Sequence, residues 1–275
     1  MNSRLPAYFQ LQRYNIAPED VVRTVLHCDP DAIREKVIVT PVWRAGIFSS
    51  HTDSITEVSE GLGSVAVYQL EYRKQSISLI RSGIGAPLTG DVILSLGCTP
   101  CSRVIFTGSV GGLKPSMEIG DLMVLEKSLC GDGFSRYLDE NVRTRDCFLN
   151  PVEPDLELTE IIKSHALEVC QRESVSLHLG TVFSIDSIVA QFFRLDYLAS
   201  NFDCIGIEME TSSVFRAARL VGIRASALLQ VSDVIPANKS LFSGRTKENM
   251  ERRNSIREGI LAKVILDSII RHYRK

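Results

Sequence analysis

"VIFTGSVGGLKPSMEIGDLMV", residues 104–124, begins and ends in aliphatic runs and holds Gly108, Gly111, Gly112 and Gly120 between them. Short runs rich in Val, Ile, Leu and Phe that stop at glycine read as buried strands. The stretch therefore predicts strands over 103–112 and 120–129, joined by a glycine-rich connection.

Outward from it, "KVIVTPV" (36–42), "SVAVYQLEY" (64–72) and "SISLIRSG" (76–83) repeat the strand pattern, and "LGTVFSID", "CIGIEME" and "ALLQVSD" supply three more strands. Between them, 89–99, 155–174 and 211–222 carry apolar residues at three- and four-residue spacing, as crossover helices do. Residues 252–275 read as one long amphipathic closing helix whose basic last turns suit the helix dipole. Strands alternating with helices imply an α/β fold, a largely parallel or mixed sheet covered by helices. No internal repeat or linker divides the chain, so 1–275 is expected to be a single domain.

Composition narrows the function. Hydrophobic residues make up 44% of the 275, enough for a sizeable core. Thirty-one Lys and Arg against 33 Asp and Glu give a net charge of −2, which disfavours a nucleic-acid partner. Seven scattered cysteines do not form a secreted disulfide framework. Cys98 and Cys101 have redox-motif spacing without a second pair, and the five histidines lack metal spacing, so no metal is expected. The N-terminus shows no leader-like apolar run and no stretch reaches the roughly 20 apolar residues of a membrane span. A cytoplasmic location with no membrane partner is the expectation.

Ligands in such sheets gather where strands end. "RSGIGAP" (81–87) and "FTGSVGG" (106–112) offer glycine amides that can approach an anion or a sugar closely. Neither is a P-loop or a GxGxxG. "IGIEMETSS" (205–213) sets Glu208 and Glu210 around Met209, and "LLQVSDVIP" (228–236) ends on Asp233. Four such polar or glycine strand ends exceed what turns require.

"SGIGAP", "VIFTGSVGGLKPSMEIGDLMV", "GIEMETSSVF" and "VSDV", in that order, resemble the nucleoside phosphorylase and nucleosidase superfamily. The resemblance implies a three-layer α/β/α fold with a central mixed, partly barrel-like sheet, a homo-oligomer (a dimer or a trimer of dimers), a small-molecule nucleoside substrate, and no cofactor beyond inorganic phosphate as co-substrate. It implies cleavage of the bond between ribose and base, which places positive charge on the sugar and negative charge on the base. Asp233, kept protonated by burial, would donate to N7 of a purine. Glu210 would accept from the ribose hydroxyls, Met209 would pack beneath the ring, and Glu208 is either structural or a second hydroxyl contact. Ser184 and Asp186 stand at the strand end near the base. Gln191 and Arg194 are similar, at altered spacing, to the pair that reads uracil in uridine phosphorylases. Ser109 with the glycines at 108 and 111, and Gly83 and Gly85 in the other loop, would hold the nucleophile.

The departures bear on that nucleophile. Phosphorylases of the family carry a Gly-Asp-Pro-x-Arg segment; here "CDPDA" puts Cys28 at the glycine and Ala32 at the arginine. A second arginine is replaced by Phe106. Arg34, Arg44 and Arg81 are candidate replacements, each equally readable as a surface arginine. Trp43 reads as a core or interface aromatic, and 247–253 as a solvated charged helix face. A purine nucleoside phosphorylase is the favoured expectation; a nucleosidase using water, a uridine phosphorylase and a non-catalytic nucleoside binder are the alternatives.

Overall fold

The computed structural model describes residues 11–60, 63–138 and 146–271. The first ten residues, and 272–275 of the expected closing helix, lie outside that description. Strands occupy β1 (Lys36–Thr40), β2 (Ser54–Glu57), β3 (Ala66–Tyr72), β4 (Gln75–Arg81), β5 (Arg103–Phe106), β6 (Ser109–Gly112), β7 (Leu122–Gly131), β8 (Pro151–Val152), β9 (Leu177–Ile185), β10 (Cys204–Glu208) and β11 (Arg224–Val234). Helices are α1 (Pro18–Leu26), α2 (Ala86–Leu96), α3 (Leu156–Glu173), α4 (Leu195–Asn201), α5 (Thr211–Leu220), α6 (Lys247–Ile256) and α7 (Ala262–Ile269). Among the described residues, all eleven strands join in one mixed sheet, β2-β3-β4-β1-β5-β11-β6-β10-β9-β7-β8.

Alternation along the central strands builds the layers. Val37, Val39, Val104 and Phe106 face α1, α2 and α5 through Leu26, Ile93, Leu96, Val214 and Phe215. Ile38 and Ile105 face the opposite layer, where Leu158, Ile162 and Ala166 of α3 meet Val264 and Ile265 of α7. Both faces being covered is why β1 and β5 are uninterrupted apolar runs, each fully buried aliphatic side chain contributing about 1.5–3 kcal/mol. Helix α3 begins at Asp155, whose side chain accepts from the Leu158 amide at 2.8 Å, and ends at Ser174 in the left-handed region.

The run 103–112, expected as one strand, is interrupted at Thr107 and Gly108. It keeps one register along β11, with Phe106 opposite Ala227 and Ser109 opposite Gln230, but its outer neighbour changes from β1 to β10. Past that break β11 also pairs with β7, so β11, β6, β10, β9 and β7 close into a five-stranded ring. The open sheet thus becomes a small barrel at Thr107, whose hydroxyl donates to the Leu228 carbonyl at 2.7 Å. This is the three-layer, partly barrel-like arrangement that the resemblance implies.

The closing helix also differs from its expectation. It starts at Lys247, capped by Thr246, and passes through a π-turn at Arg257–Leu261 between α6 and α7. No helix of the described residues is long and apolar enough to cross a membrane.

Candidate active site

Strand β10 runs directly into α5, and the three residues at that junction line a cavity of about 490 Å3: Glu208, Met209 and Glu210. Glu208 is buried and its two oxygens are saturated. Its Oε1 accepts from the Ser184 hydroxyl and, at 2.7 Å, from the Thr211 hydroxyl; its Oε2 accepts from the Glu210 and Thr211 amides, both at 2.7 Å. Two of these donors belong to the first turn of α5, where a carboxylate is favoured by the exposed amides and the helix dipole. Burial pushes the Glu208 proton affinity up, and the four donated hydrogen bonds oppose it.

Glu210 is buried as well; its carboxyl accepts from the Gly85 amide at 2.7 Å, and the Met209 backbone also favours its charged form. Gly85 sits at φ +96°, a left-handed conformation that glycine reaches without strain, just before α2, and this is what aims its N–H at the acid. Burial first, and the negative charge of Glu208 second, raise Glu210 to about 8. The residue also lines the cavity, where its carboxyl can meet a ligand's hydroxyls.

That raised value has a consequence for stability. Glu210 holds its proton more tightly in the folded chain than in the unfolded one, so from its ordinary 4.5 up to about 8 the folded state carries the extra proton and stability falls as pH rises. Glu210→Gln keeps an acceptor for Gly85 and removes the titration. In denaturant titrations from about pH 5 to about pH 9 the variant should gain on the parent with rising pH and level off above the Glu210 transition.

Across the cavity, β11 carries Asp233. Its register against β6 shifts between Val231 and Asp233, a bulge with Ser232 as the extra residue. Ordinary alternation would send Ser232 and Asp233 to opposite faces; the bulge lets both line the cavity. Ser232 donates to Asp233 at 2.6 Å. Burial raises the Asp233 proton affinity, while the Ser232 hydroxyl and the charges of Arg245 and Arg253 pull the other way. Gly111 lies beside it, where an added Cβ would come within 3.2 Å of Ile207 and 3.5 Å of the Asp233 carboxyl.

Pro41, Val42, Ile84, Ile185, Ile188, Ile207 and Leu241 give the cavity its apolar walls, a volume and character suited to a small heterocycle and sugar. Of the other expected site residues, Ser109, Gly111, Asp186 and Gln191 line it. Ser184 stands behind Glu208, bonded also to Ser128 and the Ser212 amide, and positions the acid instead of reaching the cavity. Arg194 stacks over the Phe148 ring at 6.0 Å and lines with it an adjoining hollow that shares Ile185, Asp186 and Ser187 with the cavity. Gly83, Gly85 and Gly108 shape backbone around the site without lining the cavity.

None of the three candidate arginines lines the cavity. Arg34 is exposed and bonds Gln69 at 3.1 Å, Arg44 is exposed, and Arg81 is half-buried at the end of β4. Cys28 and Ala32 lie on a different hollow, and Phe106 is core. The guanidinium that does line the cavity is Arg253, inside the helix face expected to be solvated. Its Nη2 donates to the Ser109 hydroxyl at 2.6 Å. A sequence signal existed: 253 precedes buried Ile256 by three residues and so extends the buried stripe of the closing helix.

The description of the phosphorylase superfamily matches residues 37–266. The chain belongs to that superfamily. It is an enzyme of the phosphorylase and nucleosidase type. A purine nucleoside phosphorylase of the DeoD type from Haemophilus ducreyi is 24% identical over 229 residues, 82% of this chain and 87% of that one. A 5'-methylthioadenosine/S-adenosylhomocysteine nucleosidase from Actinobacillus succinogenes is 25% identical over 175 residues, 62% and 74% of the two chains. In fold, the crystal structure of uridine phosphorylase from Vibrio fischeri ES114 is similar with a TM-score of 0.74 at 23% identity, covering 88% of this chain and 94% of that chain. These relatives are named as a purine nucleoside phosphorylase, a nucleosidase and a uridine phosphorylase, so the choice for this member rests on its own cavity.

Proposed function

We propose that this enzyme cleaves purine nucleosides by phosphorolysis, releasing free base and ribose 1-phosphate. The supporting observation is the opposition of two kinds of acid across one apolar cavity: Asp233, whose proton affinity burial raises, and the Glu208–Met209–Glu210 junction. As C1′–N9 breaks, its electron pair passes to the base and Asp233 supplies a proton to N7. A phosphate oxygen forms the new bond to C1′. Glu210 accepts from the ribose hydroxyls, Met209 packs against the sugar face, and Glu208 holds the junction in place. A purine is favoured over uracil because the cavity holds Asp233, an acid whose proton affinity burial raises.

The test is base release from a panel of purine and pyrimidine nucleosides with and without phosphate, separating free ribose from ribose 1-phosphate. Purine release that requires phosphate and yields ribose 1-phosphate is expected. Free ribose formed without phosphate would assign the enzyme to hydrolysis, and uridine as the better substrate would overturn the purine reading.

A further inference from the structure

Arg253 stands in an unusual electrostatic position. Its chain neighbour Arg252 is matched by Asp121 at 3.1 Å and Glu118 at 3.5 Å, whereas Arg253 makes no ion pair among the described residues. Its Nε is buried without a hydrogen-bond partner there. Arg245, fastened to the Ser232 and Leu241 carbonyls at 3.5 and 3.0 Å, and Arg257, above the Trp43 ring at 5.5 Å, add positive charge nearby. Burial first, then Arg257 and Arg245, lower Arg253 to about 10, while the charge of Asp233 works against them. A half-buried, undercompensated guanidinium at a cavity wall favours an anion beside it.

We propose that Arg253, together with Ser109, binds the attacking phosphate. This rests on the phosphorolysis reading for the identity of the anion. The Ser109 hydroxyl accepts from Arg253 and can still donate its own proton to a phosphate oxygen, while the Arg253 donors not committed to Ser109 supply further charge-assisted bonds. The phosphate oxygen then bonds C1′ as the pair from C1′–N9 leaves on the base with the Asp233 proton. The same placement couples the two halves of the reaction. The charges of Arg253 and Arg245 work against the proton on Asp233, and a phosphate bound at Arg253 offsets them, so the acid is best protonated when the nucleophile is present.

The experiment is calorimetric titration of inorganic phosphate into nucleoside-free enzyme, with initial rates in parallel, for the parent, Arg253→Gln, Arg253→Lys and Ser109→Ala. The Arg253 backbone carbonyl, which accepts from the Gln230 side chain at 2.8 Å, survives each substitution, and thermal melts check folding. Arg253→Gln should weaken phosphate binding and raise the phosphate KM roughly tenfold to a hundredfold, with the nucleoside KM within about twofold. Lysine should recover part of the loss, and Ser109→Ala should show a smaller one. A parent that does not bind phosphate, or Arg253→Gln and Ser109→Ala variants with unchanged phosphate affinity, would overturn the site. Phosphate binding that depends on Arg253 in an enzyme that nonetheless makes free ribose would leave the anion site standing and remove only phosphorolysis; phosphate-dependent cleavage indifferent to Arg253 would do the reverse.

Discussion

Asp233→Asn is expected to lower kcat/KM for purine nucleosides by about two to four orders of magnitude, the contribution of a general acid. The amide keeps the size of the carboxyl and an acceptor for the Ser232 hydroxyl at the bulge, so the cavity keeps its shape. An amide cannot give up a proton to N7, which is where the cost arises. Nucleoside affinity should change only a few-fold, since the ribose contacts proposed for Glu210 do not involve Asp233. A nucleoside already alkylated at N7 carries the positive charge in its base and needs no donor; it should be cleaved nearly as fast by the variant as by the parent. The pH profile carries a further sign: the working form is protonated, so parental activity falls as pH rises through the raised Asp233 transition, and the variant should lack that alkaline limb. Near-parental turnover of an unmodified purine nucleoside by Asp233→Asn would remove the acid from the mechanism.

The pattern that made the central strands legible is burial on both faces. Runs such as "KVIVT" need aliphatic residues at every position, and composition alone reports that. The acids at 208, 210 and 233 stood out for the complementary reason: a carboxyl at the end of such a run is costly unless it works. What pattern could not show was long-range pairing. Phe106 and Ser109 belong to one register along β11, and only the exchange of outer neighbours from β1 to β10 closes the barrel. The bulge at Ser232 depends on pairing with β6 in the same way, and no local feature of "QVSDV" announces it. Arg253 was hidden by averaging: α6 is polar overall, and one residue on its inward stripe is diluted by its charged neighbours. Its approach to Ser109, 144 positions away, is a tertiary event. The strand end that carries Ser184 does reach the cavity through Ile185 and Asp186, while the Ser184 hydroxyl itself turns to Glu208.

Glu208→Ala should cost several kcal/mol, a large part of the 5–15 kcal/mol that holds a typical domain. The truncation strands four donors together, the hydroxyls of Ser184 and Thr211 and the amides of Glu210 and Thr211, in a site with almost no access to water. Each buried donor left unsatisfied costs roughly 1–3 kcal/mol, reduced in sum because the hydroxyls can turn toward Ser128 and because a buried charge is removed. Glu208→Gln separates shape from charge. Its carbonyl oxygen can stay on the two amides, which can only donate, while its NH2 faces two hydroxyls that can rotate to accept. The glutamine variant should therefore keep most of the stability that alanine loses, as denaturant titration of the two variants would show. It also removes the negative charge that helps raise Glu210, so the Glu210 transition should move down from about 8. A carbon-13 titration of the Glu210 carboxyl reads that shift directly; an unmoved transition would mean that burial alone sets it, and equal losses in both variants would mean that the charge of Glu208, not its geometry, holds the junction together.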